Sequence, residues 1–125
     1  MEFRDNKAIY LQIAEYVCEH ILLGKWKPDE KIPSVREMAV ELEVNPNTVM
    51  RTYELLQNKN IISNKRGIGF FVAEDAVQHV KNYRKVQFME EELPVVFRNV
   101  YLLGIDFGDL QAKYKTFVQD NFINH

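Results

Sequence analysis

Two helix starts lying close together constrain this chain more than any other feature in it. Ser34-Val35-Arg36-Glu37 is a capping box: the Ser34 hydroxyl accepts from the Glu37 amide while the Glu37 carboxylate reaches back over the helix start. Val35, Met38, Ala39 and Leu42 then form one apolar face, and the pattern stops at Glu43. After the short Glu43-Val44 connection, Asn45 is a good N-cap, and Pro46 stands at the first helical position, where its missing N–H costs nothing. Two short helices separated by so little chain form an α-hairpin with the proportions of a helix-turn-helix.

The flanking segments extend this reading. Asn6 can cap an earlier helix that Gly24 closes, and Ile9, Tyr10, Ile13, Ala14, Tyr16, Val17 and Ile21 share an arc of about 160° on it, with His20 inside the arc. Trp26 to Glu30 reads as a turn and Ile32-Pro33 as an extended approach. The second helix of the pair ends near Asn58-Lys59-Asn60, where Asn60 can take the left-handed conformation of a C-cap. Ile61 to Asn64 and Phe70 to Val72 are β-prone runs around the basic, glycine-containing tip Lys65-Arg66-Gly67-Ile68-Gly69, which predicts a hairpin. A helix-turn-helix followed directly by a hairpin is the element order of a winged helix.

Residues 1–74 therefore read as a winged helix-turn-helix domain and residues 75–125 as a short all-α tail, an α+β protein overall. In the tail, Asp75 caps a helix carrying Ala76, Val77, Val80, Tyr83 and Val86 toward Glu90-Glu91-Glu92, read as a solvated face. Pro94 marks a new start, Leu93 to Leu103 is apolar up to Gly104, and Asp106 caps a last helix with Leu110, Tyr114, Phe117 and Val118 inside. Val95, Val96, Phe97, Val100, Tyr101, Leu102, Leu103, Ile105 and Phe107 exceed what three short helices can hide, which predicts a homodimer through these C-terminal helices. The competing expectation is that the stripe folds back onto the chain's own first helix.

Helical phase carries the chemistry. With Asn47 at zero, Arg51 falls near 40° and Thr48 near 100°, whereas Thr52, Leu56, Val49 and Tyr53 lie at about 140° to 240°. One face packs; the other presents an amide, a hydroxyl and a guanidinium toward the helix start, the part of a recognition helix that reaches base edges. Arginine suits guanine O6/N7 and asparagine adenine N6/N7, while a threonine serves a phosphate or a thymine methyl. Leu55, near 80°, does not fit the split and is expected to be covered by the hairpin; Glu54 also lies on the polar side. Arg36 sits where it can approach the same groove, and Lys65-Arg66 at a hairpin tip can lie against a phosphate backbone or enter a minor groove. The bland alternative makes Asn45, Asn47 and Thr48 capping residues and Arg51 a solvated charge.

Charge tests that reading. Sixteen Lys+Arg against eighteen Asp+Glu give −2, which by itself argues against a DNA-holding protein. From Asn45 to Val72, however, Arg51, Lys59, Lys65 and Arg66 stand against Glu54 alone, a local +3 beside −5 on the other 97 residues. Modest electrostatic affinity is expected, with specificity resting on dimerisation and a few base contacts.

The runs Ile32 to Ala39, Val44 to Val49, Tyr53 to Leu56 and Arg66 to Val72 together resemble the winged-helix domain of the GntR family of bacterial transcription factors. The opening Ile9-Tyr10-Leu11-Gln12-Ile13 and the short tail look like its YtrA subfamily. The resemblance implies a homodimeric repressor on a palindromic double-stranded operator, often of transporter genes, without a cofactor. It also implies DNA contacts at Arg36, at Asn45, Pro46, Asn47 and Thr48, and at the wing residues Arg66, Gly67 and Gly69. Ser34 and Lys65 join them by position, and Arg51 by the face geometry above. Where the family usually has glycine, this chain has Asp29 and Asn60, both tolerant of left-handed backbone, and Phe70 replaces a wing threonine whose hydroxyl could touch phosphate. A tail this short leaves no room for the effector or aminotransferase-like modules of other branches, so an unidentified small-molecule effector would have to bind at the dimer interface or beside the wing. The reading from a different class is a winged-helix protein-interaction module that does not bind DNA specifically.

The remaining features point away from catalysis and membranes. Hydrophobic residues make up 46% of the chain, enough for a real core, yet no run reaches the roughly 18 residues of a membrane span, and Met1 to Asp5 lacks the order of a secretory signal. One cysteine, Cys18, excludes an internal disulfide and fits a reducing, cytoplasmic setting. Cys18 and His20 point about 200° apart on a helix and cannot share a metal, and His79 and His125 add no ligand spacing. Gly67-Ile68-Gly69 is too short for a nucleotide loop, and no nucleophile stands beside a base.

Overall fold

A buried glutamine, not a helix cap, organises the start of the chain. Gln12 accepts from the Arg4 amide at 2.7 Å and donates to the carbonyls of Arg4 and Lys7 at 2.7 and 2.8 Å. The first helix, α1 (Ile9–Leu22), accordingly begins after Ala8 with no side-chain cap, so the cap expected of Asn6 is not used. The computed structural model describes residues 1–124; His125, weighed above as a ligand, lies outside the described residues. The chain divides into two units, Met1–Arg84 and Lys85–His125, the division falling inside the fourth helix.

In the first unit α1 buries Ile13, Ala14, Val17, Cys18 and Ile21. This face is rotated away from the expected arc: Ile9 is 44% exposed, Tyr10 and Tyr16 are half-buried, and Cys18, outside the arc, is fully buried. The arc counted apolar residues only, whereas a free cysteine behaves as a small hydrophobe, and Ile9 stands at the helix end, beyond the edge of the core. His20 is half-buried between the rings of Tyr16 and Trp26.

The capping box forms as written, with Glu37 N donating to Ser34 Oγ at 3.1 Å and Ser34 N to Glu37 Oε1 at 2.9 Å, and it opens α2 (Val35–Leu42). α2 ends on Glu43, a left-handed residue at φ 57°. α3 (Pro46–Asn58) starts from Asn45, whose Oδ1 accepts the Asn47 amide at 2.8 Å, and Asn60 closes its far end at φ 60°. Met38, Ala39 and Leu42 of α2 meet Val49, Tyr53 and Leu56 of α3 in the core. The Thr52 hydroxyl donates across to the Tyr10 carbonyl at 2.7 Å, which ties α3 to α1.

Two strands, β1 (Ile62–Lys65) and β2 (Gly69–Val72), pair antiparallel with Ile62 opposite Val72 and Lys65 opposite Gly69. The segment before α2 adds a third, short edge: Val72 N donates to Glu30 O at 2.9 Å and Ile32 N to Phe70 O at 3.0 Å. Asp29 turns the chain into that edge at φ 66°, in a left-handed conformation its short polar side chain tolerates. The Phe70 ring meets Tyr53 edge-on at 4.9 Å, so this wing residue packs inward. α4 (Ala76–Gln87) closes the unit by burying Ala76 and Val80. Arg84 reaches Glu15 at 3.4 Å, beside Arg4 and Lys7, which also pair with that carboxylate.

In the second unit a π-helical turn, Phe88–Glu92, leads into α5 (Leu93–Leu102). Pro94 marks a helix start as expected, standing in the first turn of α5, while Glu92 and Leu93 already keep helical backbone angles, so the winding runs on from the wide turn. In the wide turn the Leu93 amide donates to Phe88 O, five residues back, and the proline's missing N–H falls in the first turn of α5, where helical amides have no intrahelical partner. Gly104, at φ 64°, ends this stretch. α6 (Phe107–Val118) follows Asp106, whose carboxylate makes no cap bond, and continues as a second wide turn, Gln119–Ile123. Among the described residues, none in α5 or α6 is buried within the chain.

Candidate nucleic-acid interface

Asn47, Thr48 and Arg51, placed on one face by helical phase, line a single cleft of about 410 Å³ with Ala8, Ile9 and Tyr10 from the start of α1. Asn47 and Arg51 are exposed and Thr48 half-buried. The opposite face of α3 holds Val49, Thr52, Tyr53 and Leu56 in the core, so the two faces separate as expected. Leu55, on the boundary, is half-buried against the core, and Glu54 stays exposed. The Arg51 guanidinium lies over the Tyr10 ring, its Cζ 3.9 Å from the centroid.

Arg36 stands elsewhere. It lines a second cleft, of about 620 Å³, with Ala39, Val40, Val44 and Pro46, where α2 meets the start of α3. Val40, 79% exposed beside it, is an apolar surface residue that helical patterning had left aside. Ser34 is half-buried; its oxygen accepts the Glu37 amide, and its own amide and hydroxyl both act on the Glu37 carboxylate. Those bonds from Ser34 hold the Glu37 carboxyl below its ordinary value. Asn45 accepts the Asn47 amide on its side-chain oxygen, which leaves both NH₂ donors for a ligand, and Pro46 fixes the first turn of α3.

The wing tip is tight. Ile68 N donates to Lys65 O at 2.9 Å, and Gly67 at φ 80° and Gly69 at φ 139° supply conformations that a side chain would strain. At Gly69 a Cβ would also come within 3.0 Å of Lys31 Cε, whose chain runs along the base of the wing. Arg66 is exposed on the turn, while the Lys65 ammonium rests 4.2 Å from the Phe71 ring centroid. Among the described residues, no carboxylate pairs with Arg36, Arg51, Lys65 or Arg66; ion pairs form at Glu15 and between His79 and Asp75.

Two contributors escaped the sequence reading. Tyr10 reads as part of the core of α1, and Lys31 falls between the turn and the extended approach; a basic residue directly before the strand-pairing Ile32 was the available signal for the latter. Among the described residues no cluster of three metal-ligating side chains occurs, and no helix is long and apolar enough to cross a membrane.

Comparison with known proteins places these features in a family. The sequence model described as bacterial regulatory proteins, gntR family, matches residues 9–72. The chain is 35% identical over 118 residues to the uncharacterized HTH-type transcriptional regulator YhcF of Bacillus subtilis, covering 94% of this chain and 96% of that protein. It is 32% identical to the HTH-type transcriptional repressor YtrA of the same organism, over 94% of this chain and 89% of the relative. A crystal structure described as a putative GntR-family transcriptional regulator from Bacteroides thetaiotaomicron superposes with a TM-score of 0.71 at 50% identity, covering 90% of this chain and 98% of that one.

Proposed function

The chain belongs to the GntR family of bacterial regulatory proteins, transcription regulators with a DNA-binding helix-turn-helix and no enzymatic role, and on that premise we propose that it is a cytoplasmic homodimeric repressor of a two-fold operator. The observation that carries the proposal is the shared cleft: Asn47, Thr48 and Arg51 converge near the start of α3 with no carboxylate, among the described residues, on the guanidinium. In this reading Arg51 and Asn47 read base edges, and Thr48 takes a phosphate or a thymine methyl. Ser34 and Arg36 approach the sugar–phosphate backbone at the start of α2, Asn45 offers its side-chain NH₂ there, and Pro46 packs beside it while fixing the first turn of α3. Lys65 and Arg66 follow the backbone at the wing, where Gly67 and Gly69 let the hairpin come close.

Dimerisation is assigned to the second unit. Phe97, Tyr101, Leu103, Phe107, Tyr114 and Phe117 are all largely exposed, Tyr101 at 84%, and so much apolar surface calls for a partner. A second copy is the economical one, because a two-fold pair presents two recognition helices to half-sites about 34–36 Å apart. The repressor assignment draws on the relative that carries that name.

A salt-dependent shift assay on the promoter of the protein's own operon tests the DNA reading. Binding much tighter than to random duplex is expected, with loss of about 1–3 kcal/mol in Arg51→Ala. Equal affinity for both duplexes would instead favour a protein-interaction module. Sedimentation at micromolar concentration tests the dimer, and a monomer there defeats it.

A further inference from the structure

Tyr10 meets α3 twice. Its ring lies against the Arg51 guanidinium, 3.9 Å from Cζ to the centroid, and its carbonyl accepts the hydroxyl of Thr52, the next residue along, at 2.7 Å. The second contact fixes the first. Thr52 is fully buried, so the backbone of α1 at Tyr10 is fastened to α3 at the level of Arg51, and the ring has a set position from which to hold the guanidinium. Its neighbours Ala8 and Ile9 complete the wall of the same cleft opposite Asn47 and Thr48.

The chemistry of a guanidinium makes this contact useful to recognition. Its N–H donors lie in the plane of the group, so a ring against its face occupies none of them. Stacking therefore removes rotamer freedom while leaving the fork able to make a bidentate contact. An exposed arginine without such a wall must be ordered when the ligand arrives, and that ordering subtracts from the affinity of the correct partner.

We propose that Tyr10 is a positioning residue for base recognition: it holds the Arg51 fork in the cleft before DNA arrives and contributes to specificity without touching a base. The proposal rests on the DNA reading above, and it assigns part of the specificity to α1, outside the helix-turn-helix.

The test begins with selection of a preferred duplex from a random-sequence library by the unaltered protein. If no duplex is enriched over random sequence, the DNA reading itself falls. With a selected duplex in hand, Arg51→Ala identifies the base pair read by Arg51 as the one at which discrimination drops, by roughly five- to a hundredfold. Tyr10→Leu should weaken discrimination at that same base pair by roughly two- to fivefold, whereas Tyr10→Phe, which keeps the ring, should retain it. Tyr10→Leu should cost nothing further in the Arg51→Ala background. The proposal is overturned, with the DNA reading intact, if Tyr10→Leu discriminates like the parent, if it loses affinity equally for all duplexes, or if its effect persists without Arg51. A measurement on the unaltered protein does not depend on any variant folding: ring current should move the Arg51 Nε–H proton upfield in the absence of DNA, and an unshifted resonance refutes the contact.

Discussion

The Tyr53 hydroxyl donates to the Pro33 carbonyl at 2.6 Å, fastening the approach to the second helix onto the middle of the third. Tyr53 is fully buried, with the Phe70 ring against it, so one side chain joins α3, the wing and the segment before α2. Burial, with Glu37 and Glu41 nearby, pushes its phenol well above the ordinary range, and it stays a donor at any working pH. Tyr53→Phe should cost about 1 kcal/mol and Tyr53→Ala about 3–5 kcal/mol in urea unfolding.

Glu43 supplies a prediction of the opposite sign. It closes α2 at φ 57°, a conformation that costs a residue with a Cβ about 1–2 kcal/mol, and its side chain is exposed. Glu43→Gly should therefore stabilise the protein, by about 1 kcal/mol once the added freedom of the unfolded chain is set against the relief. A lower midpoint in denaturant would contradict this.

Acid should weaken the first unit through two carboxyls. Burial alone would raise Glu15, but the Lys7 hydrogen bond and the charges of Lys7, Arg84 and Arg4 outweigh it, so its carboxyl sits below the ordinary 4.5. Glu37 is lowered from the same value by its bonds to Ser34. A depressed folded-state value contributes stability that is complete above 4.5 and lost as pH falls through the lower value. Denaturation monitored between pH 7 and pH 3 should show a loss beginning below about 4.5, and Glu15→Gln should flatten it.

Cys18 should be chemically silent in the folded protein. Burial pushes its thiol up to about 12, Arg84 opposing and Glu15 adding, and the side chain is fully enclosed in α1. At pH 8, alkylation by iodoacetamide should proceed only through unfolding, and a rate near that of a free thiol would show that α1 does not pack as described.

At the wing, Arg66→Ala should weaken binding to selected and random duplexes alike and reduce the slope of log affinity against log salt by about one. A change confined to the selected duplex would move Arg66 from the phosphate backbone to a base.

Legibility followed the range of the interaction. The starts of α2 and α3 were readable because Ser34 with Glu37, and Asn45 with Pro46, settle their geometry within a few residues. Asn60 was readable as a left-handed cap because asparagine favours that conformation; Glu43 was not, because nothing local favours it there and packing on both sides imposes it. The cleft face of α3 followed from helical phase, but the ring behind Arg51 comes from a distant helix, and no periodicity encodes such a pairing. Gln12 is the same lesson in reverse: apolar counting places it outside, and only the arm folded over it makes it a buried residue with three satisfied bonds. Pro94 was readable as a helix start because a proline fits a first turn; the wide turn that joins it to the preceding helix was not, because no local pattern marks it.

The wing turn divides its residues by how freely they can drift. A side chain at Gly67 would meet no atom within 4 Å, yet its φ of 80° resists replacement; Arg66 and Ile68 beside it, the latter 61% exposed, carry no such backbone demand. Lineages can therefore exchange charge for bulk at those two positions without endangering the fold. The hairpin tip is thus a place where a regulator of this shape can be retuned to a new target while the core that presents it stays unchanged.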